Sequence, residues 1–243
     1  MAEIRKILLK RLFVNSTKYC IRKWHEMALF SIVNAIFMIV GFKFINGWQD
    51  KLFLLWLIPY YIFWYSFFRF YFERKPYMMT SKIFETLMPS SRIFGLMLFF
   101  TTLLIAIPLV IPFISDNHSW VDRYIFYLQK HMEDPLILNT ITMVIFSIAS
   151  PFIFYRPMMG WIGSVIGRSG LLSSAYARTK GNYWEFLLIT IVFNLAYSMM
   201  QFCDNHLGTG GWLTILLGSP VVVFMNVILA KTYEYFFLEI DNG

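Results

Sequence analysis

The sequence predicts an all-α, polytopic integral membrane protein with six transmembrane helices, both termini cytoplasmic, and interfacial amphipathic helices beside the spans. Three observations carry this prediction. The 243 residues are 58% hydrophobic and 20% aromatic, with only 14% charged side chains, a composition too apolar for a water-soluble domain. Mean hydropathy is +0.58, and six apolar segments approach or exceed the roughly 20 residues a helix needs to cross a bilayer. The basic residues lie almost entirely on one side of the topology those segments define.

Residues 1–26 read as a basic cytoplasmic interfacial leader, carrying Arg5, Lys6, Lys10, Arg11, Lys18, Arg22 and Lys23. No small-residue cleavage site follows the apolar run 27–45, so this run reads as a retained span and not a signal peptide. It opens a single six-helix transmembrane domain, 27–243, whose further spans fall at 52–72, 93–114, 136–155, 183–203 and 212–237. With the leader inside, seventeen of the twenty-one basic residues fall inside and only Lys43, Lys51, Arg123 and Lys130 outside. The positive-inside rule therefore places both termini in the cytoplasm. Trp24, Trp48, Trp120, Trp184 and Trp212 stand near span ends, where indole rings suit the interface.

Between spans three and four, Val121, Tyr124, Ile125, Leu128 and Met132 recur at helical spacing opposite Asp122, Gln129, Lys130 and Glu133. This predicts an outer interfacial helix, opened by a capping-box-like start at Ser119. In the leader, Ile4, Ile7, Leu8 and Leu12 share one side with Arg11 intruding, a pattern compatible with a helix lying on an anionic inner leaflet. Prolines 59, 108, 112, 151 and 220 predict bent spans. Gly218-Ser219-Pro220 is the clearest expected break in the last span, and a packing kink is favoured there over a substrate-lining discontinuity.

The connection between spans four and five is the most informative stretch. Gly160, Gly163, Gly167, Gly170 and Ser174 are spaced by three, four, three and four residues. In one continuous helix this makes a stripe that another helix or a lipid headgroup can approach closely. Arg168, Arg178 and Lys180 add positive charge, and Gly181 and Trp184 lead into the fifth span.

Searches for catalytic chemistry return nothing. The sequence has no nucleophile elbow, no zinc-protease pair and no phosphate-binding glycine loop; His25-Glu26 lacks the second histidine that zinc ligation needs. Asp116-Asn117-His118 and Asp204-Asn205-His206 repeat a tripeptide, but loops accumulate these residue types, and no metal site is assigned. Cys20 and Cys203 fall on opposite sides of the expected topology and cannot bridge. Ionisable residues are nearly absent at mid-membrane depth, which argues against ion-coupled transport. Asn34, Asn139, Asn194 and Asn226 are expected to join helices by hydrogen bonds, and Lys231 and Glu234 to pair one turn apart. Glu185, beside Trp184, reads as interfacial. The methionine and phenylalanine pairs read as packing and lipid-facing surface. No cofactor is expected, and the positive charge encodes orientation, not nucleic-acid binding.

The run Ser173 to Phe186, with Ala175, Thr179, Lys180, Gly181 and Trp184 as its key positions and Arg156 before it, resembles a signature of the membrane domain of glycerophosphoryl diester phosphodiesterases and related six-span bacterial proteins. The resemblance implies a membrane scaffold; the soluble phosphodiesterase domain has no counterpart here. A second stretch, Ser81 to Arg92, resembles the cytoplasmic loop before the third span in permease subunits of type-two ABC exporters. That likeness implies contact with a separate ATPase subunit through Glu85, Pro89 and Arg92.

The functional expectation is a non-enzymatic component of a bacterial cytoplasmic membrane that contacts anionic lipid, or a membrane protein partner or second copy, through the inner helix. Its contact residues are expected to be Gly160, Gly163, Gly167, Arg168, Gly170, Arg178, Lys180, Gly181 and Trp184. The alternative is the permease half of an ATP-driven exporter.

Overall fold

The computed structural model describes residues 9–41, 52–73, 85–100, 144, 147–167 and 172–238, and every regular element among them is helical. Helix α1 spans Leu9–Arg22 and α2 Trp24–Ile39. Helix α3 spans Leu52–Glu73 and α4 residues 85–100. A π-helical turn, Pro151–Tyr155, leads into α5, Arg156–Val165. Then come α6, Leu172–Arg178, α7, Tyr183–Leu207, and α8, Trp212–Tyr233, which ends in a second π turn, Glu234–Leu238. The expected outer interfacial helix, most of span three beyond residue 100 and the first part of span four lie outside the described residues, as do Asn139, Arg168 and Gly170.

Helix α8 is the axis of the molecule: α1, α2, α5 and α7 all pack on it. Its C-terminal half buries Val223, Val227, Ile228, Leu229, Ala230 and Tyr233. Pro220 lies inside the helix without ending it, so the segment is not divided at Gly218-Ser219-Pro220. The reason is positional. Pro220 and Leu216, the residue whose carbonyl loses its donor, are both on the exposed side, while Gly218 and Ser219 are buried against neighbouring helices. The ring clash is absorbed where nothing packs, and contacts on the other side hold the axis together.

Those contacts include the polar joint the sequence suggested. Asn34 of α2 is fully buried; its Nδ2 donates to Ser219 Oγ at 3.1 Å, and its Oδ1 accepts from the Tyr60 hydroxyl at 3.3 Å. One amide thus links α2, α3 and α8. Asn194 Nδ2 likewise donates to Ser147 Oγ at 2.7 Å, and Ser150 meets Thr190 at 2.8 Å, joining α7 to the helix before α5. Asn226 differs: its amide turns back to the Val222 carbonyl of its own helix at 2.8 Å. Lys231 and Glu234 form the expected pair at 2.5 Å.

Aromatic rings fill the space between α3, α4 and α5. Trp161 is completely buried, with ring centroids of Phe68, Phe94 and Tyr61 at 5.3, 6.0 and 6.1 Å.

The outward faces of α2 and α7 are apolar. On α7, Leu188, Val192, Leu195, Met199 and Phe202 are exposed at helical spacing; on α2 the same holds for Leu29, Ile32, Ile36 and Val40. Water penalises such stripes and hydrocarbon does not. Two helices, Tyr183–Leu207 with 25 residues and Trp212–Leu238 with 27, are long and apolar enough to cross a bilayer.

Candidate functional site

The expected contact helix is two helices. The run from Arg156 ends at Val165; Gly167 has φ +76°, and α6 begins again at Leu172. A left-handed residue just past a helix end is where glycine costs least, so Gly167 stops the stripe instead of continuing it. Gly160 is spent within the chain. A Cβ there would lie 3.1 Å from Leu172 Cδ2 and 3.7 Å from Ala175 Cβ, so the missing side chain lets α6 fold back on α5. Gly163 is buried in the same region. The close approach at Gly160 is made by the next helix of this chain.

Two prolines explain why this hairpin is fastened as it is. Pro157 has no N–H to give the Phe152 carbonyl in the π register, and the Tyr176 hydroxyl of α6 donates to that carbonyl at 2.5 Å. Pro151 likewise leaves the Ser147 carbonyl without its helical donor, and Ser150 Oγ supplies one at 3.0 Å. The Tyr183 hydroxyl donates to the Ile148 carbonyl at 2.9 Å. Backbone acceptors that the prolines orphan are satisfied by side chains.

Arg156 stands between the rings of Phe152 and Tyr176, at 4.8 and 5.7 Å from their centroids. Partial burial of each lowers the Arg156 guanidinium pKa and raises that of the Tyr176 phenol, each group moderating the other's shift. The motif following it closes tightly. Thr179 is buried and its hydroxyl donates to the Ala175 carbonyl at 2.7 Å; Gly181 has φ +87°, and the buried Asn182 stands at the start of α7.

Arg178 is also engaged. Its Nη1 donates to the Phe236 carbonyl at 3.4 Å and its guanidinium lies 4.9 Å from the Phe237 ring centroid. A cation at the carbonyl-rich end of α8 complements the helix dipole. Of the described residues expected to meet lipid or a partner, Gly167, Arg178, Lys180, Gly181 and Trp184 are exposed, Trp184 at 69%.

The basic surface lies mainly elsewhere, on α1. Leu12 and Ser16 are buried, and Leu9, Phe13, Tyr19 and Cys20 flank them on the same side. This side meets α8 and its neighbours: Phe13 lies 6.4 Å from Phe224, Tyr19 lies 4.7 Å from Tyr71, and Lys231 Nζ lies 5.6 Å from both tyrosine rings. The helix therefore rests on the bundle, where a leaflet was expected. Its opposite side exposes Lys10, Arg11, Lys18 and Arg22, and α1 contains no acidic residue. The sequence signal for this was present in the leader's charge, but the apolar side was assigned to Ile4, Ile7, Leu8 and Leu12, of which only Leu12 is among the described residues.

The stretch compared with an ABC permease loop is helical from residue 85. Glu85, Met88, Pro89 and Arg92 are all exposed, one turn apart on one side of α4. The other side is anchored to α3: Tyr61 meets Ser90 at 2.5 Å, Tyr65 hydrogen-bonds Thr86, and Arg69 Nη1 donates to Thr86 Oγ1 at 3.3 Å.

Among the described residues no three His, Cys, Asp or Glu side chains come together to hold a metal. Comparisons with protein-family models, with curated proteins and with solved structures find no match.

Proposed function

We propose that the chain is a six-span, non-enzymatic component of a bacterial cytoplasmic membrane, with both termini inside, that holds anionic lipid at the inner surface. The exposed apolar stripes of α2 and α7 and the seventeen-to-four sorting of basic residues support the insertion and its orientation. One observation carries the lipid reading. Lys10, Arg11, Lys18 and Arg22 are all exposed on a helix that has no acidic residue and is docked by its other side. Basic residues near an anionic surface contribute about 1 kcal/mol each, and a helix fixed on the bundle presents them without the entropic cost of ordering a free leader. Lys180 and the interfacial Trp184 extend the same contact. The glycines belong to the hairpin that supports it.

The test is lipid retention by the full chain purified in a mild detergent. Replacing the four α1 cations with glutamine should remove most of the retained phosphatidylglycerol while the thermal midpoint changes little. Equal retention by the variant rules out α1 as the contact.

The single exposed side of α4 formed by Glu85, Met88, Pro89 and Arg92 favours a second reading, the permease half of an ATP-driven exporter. Here α4 is the docking helix for a separate ATPase. Glu85→Ala together with Arg92→Ala should release a co-purifying ATPase, and a demonstrated complex that survives both changes removes this reading.

A further inference from the structure

At the end of the bundle that carries the α7–α8 turn, a cavity of about 300 Å³ lies between α2, α7 and α8. Asn34, Tyr197, Gln201, Asp204, Asn205 and Ser219 contribute to its wall. We propose that this cavity binds a small organic cation carrying a primary ammonium group.

Seven polar side chains, Thr214 included, converge at this end of the bundle. Asn34, Asp204 and Ser219 among them are buried, and buried polar groups need partners. Asn34 and Ser219 satisfy each other, which accounts for the floor. Asp204 is engaged by the α7–α8 turn and Gln201 bonds the Tyr197 hydroxyl, which leaves the further acceptor capacity of Tyr197, Gln201 and Asn205 above that floor.

The sign of the charge follows from the donors already used. The backbone N–H groups at the start of α8 are what an anion would seek, but Asp204 takes them. Its Oδ1 accepts from Gly211 N at 3.1 Å and its Oδ2 from Thr214 N at 3.2 Å, and the Thr209 hydroxyl donates to Oδ1 as well. Among the described residues no Lys or Arg forms an ion pair with this carboxylate, and no basic side chain lines the cavity. Gln201 and Asn205 offer amide oxygens and Tyr197 a hydroxyl oxygen beside the Asp204 carboxylate. An ammonium group has three donors and no acceptor, which matches that set.

Space is kept by a glycine. Gly218 lies on the wall; a Cβ there would stand 3.9 Å from Tyr197 Cε2, so alanine fits and leucine fills the cavity. Asp204→Asn removes the charge but keeps only one of the two oxygens that accept from Gly211 N and Thr214 N, so it also loosens the α7–α8 turn.

The experiment is calorimetric titration of the full chain in mild detergent at pH 7 with methylammonium, ethanolamine and putrescine, with 1,4-butanediol as the uncharged control. We expect saturable binding of at least one ammonium probe and none of the diol. Asp204→Asn should weaken that binding at least tenfold, and Gly218→Leu should abolish it with the ligand-free melting temperature within a few degrees of the parent. If Asp204→Asn fails to fold, Gln201→Leu takes its place, with weakened binding expected. Absence of binding by all three ammonium probes, equal binding of the diol, or binding unchanged in the folded variants overturns the proposal.

Discussion

The Tyr176 hydroxyl donates to the Phe152 carbonyl at 2.5 Å, supplying across the α5–α6 hairpin the hydrogen bond that Pro157 cannot make along the chain. Tyr176→Phe removes this donor and keeps the ring beside Arg156. The expected loss is about 1 kcal/mol, the usual net contribution of one hydrogen bond, read as a lowered thermal midpoint in detergent. An unchanged midpoint means that the carbonyl finds another donor.

The glycines of this region should separate into two behaviours. Gly167 has φ +76°, where an L side chain costs roughly 1–2 kcal/mol, so Gly167→Ala should destabilise. At Gly160 the nearest atom is the flexible end of Leu172, at 3.1 Å. Gly160→Ala should be accommodated by a small shift, whereas Gly160→Leu should drive α6 off α5. Limited proteolysis between the two helices reads the difference: rapid cleavage in the leucine variant, parental resistance in the alanine variant.

The joint between Asn34 and Ser219 should be measurable as a coupling. A double-mutant cycle of Asn34→Leu and Ser219→Ala is expected to give about 0.6 kcal/mol, the mean for such pairs between membrane helices. A value near zero would mean that Tyr60, which donates to the Asn34 Oδ1, is its main partner.

The two thiols should react unequally. Burial pushes the Cys20 thiol up to about 11, while Cys203 is exposed, and only the thiolate is nucleophilic. Maleimide at pH 7 should label Cys203 and leave Cys20 nearly untouched; labelling of Cys20 should rise as pH approaches 11. Equal labelling at pH 7 would contradict the docking of α1, because a leader free of the bundle would leave Cys20 accessible.

Much of this was legible in the sequence. Apolar runs located α2, α3, α7 and α8 to within a few residues at most ends, since length and hydropathy decide such helices locally. The pairing of Lys231 with Glu234 followed from helical spacing alone. What was not legible depends on tertiary partners. Spacing by three and four made Gly160 to Ser174 look like one face, but a positive φ at Gly167 turns that face into a hairpin, and spacing does not report φ. Pro220 looked like a break because its surroundings were unknown; Asn34 against Ser219 holds the helix together there. The α1 cations were visible, while the identity of what its apolar side covers was a property of α8. Asp204 was read as part of a tripeptide repeat, and its role as the cap of α8 appears only when the Gly208–Gly211 turn brings Gly211 N and Thr214 N onto its carboxylate.

The most direct test of the account is mass spectrometry of everything the full chain retains after mild-detergent purification from its own membrane, lipids and proteins together. Selective enrichment of anionic lipid over its bulk share, lost when Lys10, Arg11, Lys18 and Arg22 become glutamine, is the predicted result. A stoichiometric ATPase retained with lipid of bulk composition would contradict it and transfer the function to the exposed side of α4.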